Sequence, residues 1–215
     1  IFRIPKFANY FYRSQRPPDE KIVFGDMAIG GPMVKIASYW NENSPLPVKV
    51  YSNCDEVALF LNGEIVDRKK MERDRYSTHL EYPPYVFDIK TFKKGKLVAM
   101  GYINGEKVCE DKVVTSGGAR QLALELDMEH IAPADNDIVI LHARVLDQYG
   151  NMIHDANDEV NFSVMSGNAE LIGENPVKAK AGIASILMKI ANKEKPIQVV
   201  ASTPTLDSSI IELTQ

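Results

Sequence analysis

Four histidines, His79, His130, His142 and His154, are the side chains of this chain best suited to proton transfer or metal ligation. None has a second His, Cys or carboxylate at ligand spacing on a shared element, so no zinc-type site is expected. His142 falls inside a strand-patterned stretch and reads as a satisfied structural histidine, while His130 and His154 fall near turns and read as solvated. Asp135, Asp137, Asp147, Asp155 and Asp158 are numerous enough to suggest calcium. Their spacing matches no EF-hand, and they read as exposed loop carboxylates. Asn41-Glu42 could carry an acid/base carboxylate, but it lies in Trp40-Asn-Glu-Asn-Ser-Pro-Leu-Pro47, a polar turn between two strands. No Gly-x-Ser-x-Gly elbow or phosphate-cradling glycine loop is present. The residues thus nominate no catalytic group, no metal and no cofactor.

One segment invites a binding role. Thr78-His-Leu-Glu-Tyr-Pro-Pro-Tyr85 places an aromatic, a histidine and two prolines in a stiff loop. It could present an aromatic face to a sugar ring, or it could be a rigid crossover whose tyrosines pack inward. Trp40, the only tryptophan, has the same two readings, ligand platform or buried core. The carbohydrate-facing candidates are therefore Trp40, His79 and Tyr82. Cys54 and Cys109 are too few for a disulfide scaffold. They read as buried free thiols, with a bridge between them as the alternative.

The elements that hold these residues are mostly strands. The chain opens on Ile1-Phe-Arg-Ile-Pro-Lys-Phe, with no initiator Met. Phe7, Tyr10, Phe11 and Ser14 recur at helical spacing, Pro5 suits a first turn, and Pro17-Pro18 stop the helix. Four aromatics on about ten residues exceed what a short isolated helix carries in water. The expectation is a helix made to pack on something larger, and a chain that is the C-terminal piece of a longer protein.

After residue 20 the periodicity is two. Strands are expected over Met33–Trp40, Val48–Asn53, Val57–Leu61, Glu64–Asp67, Tyr85–Ile89, Lys96–Ile103 and Glu106–Val114. Asn62-Gly63 and Asn104-Gly105 mark two type I′ hairpins. Ser116-Gly-Gly118 is the linker candidate. Beyond it, strands are expected over Gln121–Met128, Asp137–Asp147, Glu159–Met165, Ala169–Ile172, Ala179–Ile190 and Ile197–Ser202. Ala181 to Met188 could be misread as a helix, but its neighbours alternate. The fold class is all-β: two tandem immunoglobulin-like β-sandwiches, residues 21–116 and 117–215, after a short helix in residues 1–20.

Composition narrows the partners. Acidic and basic residues are interspersed at a net charge of -4, so nothing argues for nucleic acid or an anionic membrane surface. The longest apolar runs, such as Ile138 to Leu141, fall far short of a membrane span.

Ile4-Pro-Lys-Phe7 with Tyr10-Phe-Tyr-Arg-Ser-Gln15 resembles the end of the catalytic barrel in bacterial glycoside hydrolase family 2 enzymes. Gly31-Pro-Met-Val34, Ala37-Ser-Tyr-Trp40, the run Val50 to Gly63, the run Ser77 to Phe87 and Gly101-Tyr-Ile-Asn-Gly105 resemble the β-sandwich that follows that barrel in the family's β-galactosidases. Val145-Leu-Asp-Gln-Tyr-Gly-Asn151, Val160 to Val164, Ala169 to Gly173 and Ala181 to Ala184 are similar to the invasin-like immunoglobulin module that closes such chains. The resemblance implies that residues 1–20 are the terminal helix of a catalytic barrel absent from this chain. Retaining glycosidases use two carboxylates about 5 Å apart, and in this family both glutamates lie on barrel strands upstream of these motifs. No catalytic residue therefore transfers, and accessory domains that brace the barrel and border its mouth are implied. Also implied are a galactoside handled through the parent enzyme, a homo-oligomer contact, and a periplasmic or secreted location. The rival reading is a sugar-binding or adhesive pair of immunoglobulin-like modules.

Overall fold

A computed structural model describes residues 4–24, 27–127 and 133–214, with backbone alone over 22–24 and 27–29. Phe2 and His130 lie outside the described residues. The chain divides into two units, one running to Thr115 and the other from Ser116.

The first unit opens with α1 (Phe7–Ser14). Lys6 is its N-cap, so Pro5 precedes the helix instead of sitting in its first turn. The periodic face is the packed one. Phe7 lies 4.8 Å from the Tyr39 ring and Phe11 5.5 Å from Tyr51, while Ser14 is buried and donates to the Phe11 carbonyl. Gln15, just after the helix, donates to the Tyr82 carbonyl at 2.7 Å and accepts from the Tyr82 N–H. Asn53 donates to the Arg16 carbonyl at 3.0 Å. The helix is thus tied to its own sandwich, with Phe7, Tyr10 and Phe11 left half-buried.

The strands of this unit are β1 (Lys21–Phe24), β2 (Met27–Gly30), β3 (Val34–Ile36), β4 (Val48–Ser52), β5 (Glu56–Leu61), β6 (Glu64–Lys70), β7 (Tyr85–Phe87), β8 (Lys96–Ile103) and β9 (Glu106–Val114). β1 and β2 pair as a two-stranded ribbon that the alternation did not reveal. A three-stranded sheet, β3-β4-β7, and a four-stranded sheet, β6-β5-β8-β9, enclose a core of Ile36, Trp40, Val48, Val50, Leu59, Phe87 and Leu97. Asp111 on β9 ties the two sheets together, accepting from the Ile36 N–H at 2.9 Å and from the Lys35 ammonium at 3.0 Å. β3 stops at Ile36, earlier than the pattern predicts, and the chain reaches Trp40 with a positive φ of 48° that no strand can hold.

Both Asn-Gly hairpins form as expected, with φ of 55° and 89° at Asn62-Gly63 and 53° and 84° at Asn104-Gly105. A Cβ added at Gly63 would meet nothing within 4 Å. Gly63→Ala therefore isolates the cost of positive φ, and a loss of about 1–2 kcal/mol is expected. The urea midpoint of the first unit measures it.

The second unit contains β10 (Gln121–Asp127), β11 (Ile138–Leu146), β12 (Glu159–Ser166), β13 (Asn168–Ile172), β14 (Val177–Lys178), β15 (Ile183–Asn192), β16 (Ile197–Ser202) and β17 (Ser209–Leu213). Its two sheets run β10-β11-β15-β13 and β14-β12-β16-β17, with every strand pairing antiparallel. Leu141, Val145, Phe162, Met188, Ile190, Ile197 and Val199 fill the space between them. Residues 183–188 form strand, as the flanking alternation predicts. The strand begins at Ile183 and not at Ala179, because Ala181 and Gly182 turn with φ of 53° and 77°. β14 and β17 were not anticipated. The protein is all-β, with one short helix among the described residues.

Candidate functional site

The aromatic-proline segment that drew attention in the sequence closes one side of an open groove of about 440 Å3 in the first unit. The groove forms where β6 runs out and the chain crosses through residues 71–84 to β7. Its walls include Lys69 and Lys70 from β6, Lys49 from β4, and Arg73, Tyr76 and Pro84 from the crossover. Lys49 and Val86 are register partners, and the alternation of β4 buries Val48 and Val50 while turning Lys49 outward. Lys69 donates to the Val86 carbonyl at 2.8 Å, which fixes its ammonium at the rim.

The crossover is held by its own polar side chains. The Asp74 carboxylate accepts from the Ser77 hydroxyl at 2.7 Å and from the Tyr76 N–H at 2.9 Å, an Asx-type turn. The Ser77 hydroxyl, followed by the Tyr76 N–H, holds the Asp74 carboxyl below its ordinary range. The Arg73 guanidinium spans the Leu80 and Glu81 carbonyls, both at 3.1 Å. Pro83 is buried, and the Tyr85 hydroxyl donates to the Cys54 carbonyl at 2.6 Å. Burial raises the Tyr85 phenol, so it stays a neutral donor. Tyr76 stands 78% exposed with the Arg75 guanidinium 4.4 Å from its ring centroid. The groove is basic and open, with an aromatic face beside it. That equipment suits recognition of a polar ligand. Its carboxylates are Glu72 and Asp74, and Asp74 is already committed to the turn.

The three carbohydrate-facing candidates do not assemble. Trp40 is fully buried, 5.1 Å from the Phe92 ring, and this corrects its reading as a ligand platform. The indole is too large and apolar to stay outside a sandwich this small. His79 is exposed but does not line the groove, and Tyr82 is half-buried with its backbone held by Gln15. Asn41-Glu42 lies in a turn, where the Asn41 carboxamide accepts from the Asn43 N–H and the Ser44 hydroxyl. His142 is buried on β11 and paired with the Ser185 hydroxyl at 2.7 Å; burial lowers its proton affinity. His154 is half-buried instead of solvated. Among the described residues, no three metal-ligating side chains gather, and no helix is long and apolar enough to cross a membrane.

One aspartate departs from the loop reading. Asp147 is 1% exposed and accepts from the Gly117 N–H, the Tyr149 N–H, and both the N–H and side-chain amide of Asn151. The sequence reading also missed the groove lysines. They come from two strands that are distant in sequence, and the run Asp67-Arg-Lys-Lys70 was the one local signal.

Residues 122–212 match the family described as glycoside hydrolase family 2 C-terminal domain 5, and residues 43–109 match a domain of unknown function, DUF4982. A β-galactosidase of Thermoanaerobacter pseudethanolicus is 32% identical across 94% of this chain, which spans 28% of that relative. The chain carries C-terminal domain sequence of glycoside hydrolase family 2. A second family relative, a β-galactosidase of Rhizobium meliloti, is 31% identical over 83% of the chain and 24% of its own length. In fold, the chain is similar to a β-glycosidase from Bacteroides vulgatus, at TM-score 0.78 and 20% identity, over 99% of this chain and 27% of that one. The chain thus spans about a quarter of the length of each of these proteins.

Proposed function

We propose that these domains are the accessory, non-catalytic C-terminal part of a retaining β-galactosidase, bracing its catalytic barrel and bordering the barrel mouth. The observation that carries the reading is the alignment of 94% of this chain with a β-galactosidase more than three times as long. The residues support it from their side, since the groove offers binding groups and no free pair of carboxylates. The galactoside would be handled by the parent enzyme, in a periplasmic or secreted location. The chain by itself should not hydrolyse aryl β-galactosides. Turnover that survives rigorous purification and vanishes with Glu42→Gln would overturn this.

A second reading, a sugar-binding module, is favoured by the basic groove with exposed Tyr76 beside it. Calorimetric titration of the chain with galactose and with galacturonate separates the two. Heat that disappears in a Lys49→Ala, Lys70→Ala double variant favours binding, and no heat favours bracing alone.

A further inference from the structure

The two cysteines are 55 residues apart in sequence, yet their sulfurs lie 3.5 Å from each other inside the first unit. Cys54 sits in the turn that enters β5, and Cys109 on β9 is the register partner of Gly101 on β8. Gly101 makes the meeting feasible: a Cβ there would lie 2.6 Å from the Cys54 sulfur and 2.7 Å from that of Cys109. Any larger residue on β8 would fill the space the two thiols share. The backbone at Cys54 is anchored on both sides, its N–H donating to the Ser52 hydroxyl at 3.1 Å and its carbonyl accepting from Tyr85. The sulfurs differ in access, for Cys54 is 1% exposed and Cys109 half-buried. We propose that Cys54 and Cys109 form a dithiol modification site that closes to a disulfide by exchange with a small-molecule disulfide, stapling the β8–β9 hairpin to the start of β5.

The chemistry balances in two steps. Cys54 is the first to ionise, and Cys109, the accessible sulfur, passes its proton to that thiolate and attacks the external disulfide, forming a mixed disulfide and releasing one thiolate. Cys54 then gives the proton to solvent and, as thiolate, attacks the Cys109 sulfur, forming the internal bond and expelling the second thiolate. The protein gives up two hydrogens and two electrons, and the external disulfide becomes two thiols. In the reduced pair the Cys109 S–H holds the Cys54 sulfur below the ordinary thiol range, at about 7, while the Cys109 thiol is itself raised, so the pair carries one thiolate and one shared proton before the first attack. A covalent S–S bond is about 2 Å long, so oxidation draws together sulfurs that stand 3.5 Å apart in the reduced pair.

The test uses the reduced chain, incubated with oxidised glutathione, unfolded and alkylated. Both alkylatable thiols should be lost, with a mass decrease of two hydrogens and a linked Cys54–Cys109 peptide after digestion. The thermal midpoint should rise by several degrees and return on reduction with dithiothreitol. The Cys54→Ser variant, lacking the resolving thiolate, should instead keep a glutathione adduct on Cys109. Two alkylated cysteines after oxidation, or a stable adduct on the unmutated chain, would overturn the proposal.

Discussion

Replacing Trp40 with alanine should cost the first unit about 3–5 kcal/mol, the range for emptying a large aromatic site in a core. The residue is fully buried, its ring packs 5.1 Å from Phe92, and its backbone is fixed at both polar atoms. Its N–H donates to the Ser38 hydroxyl at 3.0 Å, and its carbonyl accepts from the Thr115 hydroxyl at 2.9 Å. Alanine would leave a void beside Phe92 that a close-packed sandwich refills only in part. Trp40→Phe should cost much less. The indole N–H has no hydrogen-bond partner, so phenylalanine keeps most of the packing and removes an unsatisfied donor. Chemical denaturation followed by circular dichroism distinguishes the two variants. Equal losses would mean that the indole nitrogen has a stabilising partner in the core. Because Trp40 is the sole tryptophan, its emission reports the first unit alone, and galactosides should leave it unchanged.

Asp147→Ala should destabilise the second unit by about 3 kcal/mol. Each amide that loses its acceptor costs on the order of 1–3 kcal/mol where water cannot replace it. The Gly117, Tyr149 and Asn151 N–H groups, at 2.8 to 2.9 Å, would all lose the same carboxylate. Asp147→Asn should fare little better, since its amide nitrogen would turn a donor toward donors. The same geometry sets a pH dependence. Burial raises the Asp147 carboxyl, but the Gly117 N–H, the Asn151 amide and the Asn151 and Tyr149 N–H groups outweigh it, and the group is held down to about 2. A folded-state value below the unfolded one favours the folded state above the unfolded carboxyl range. Roughly 2 kcal/mol should be present above pH 4 and lost as the pH falls toward 2. Thermal midpoints of the second unit measured from pH 5 to pH 2 should fall in the native chain. They should fall less in Asp147→Ala, which has no such carboxylate to lose; parallel curves would contradict the assignment.

The division between what was legible and what was not follows the range of the interactions. Asn62-Gly63 and Asn104-Gly105 announced their hairpins because a type I′ turn is decided by two adjacent residues that tolerate positive φ. β4 and β16 announced themselves because alternation along one strand mirrors burial on one face of its sheet. The helical spacing of Phe7, Tyr10, Phe11 and Ser14 likewise named the face of α1 that packs. β1, β2, β14 and β17 were not anticipated; β14 holds only two residues, and the exposed Ile210 next to Ile211 breaks the apolar alternation of β17.

By itself, then, the sequence determined the all-β class, the hairpins and the resemblance to glycoside hydrolase family 2, all of which rest on neighbours in the chain or on motifs read along it. Only the tertiary structure decided which polar groups meet. Asp147 looked like any loop carboxylate until Gly117, thirty residues away, was found donating to it. Lys49 joined Lys69 and Lys70 at one groove because β4 lies beside β7. Cys54 and Cys109 came together because antiparallel pairing set Gly101 where a side chain would have kept them apart. Each of these encounters depends on sheet order and register, which arise from burying two whole faces against each other and leave no short-range mark in the chain.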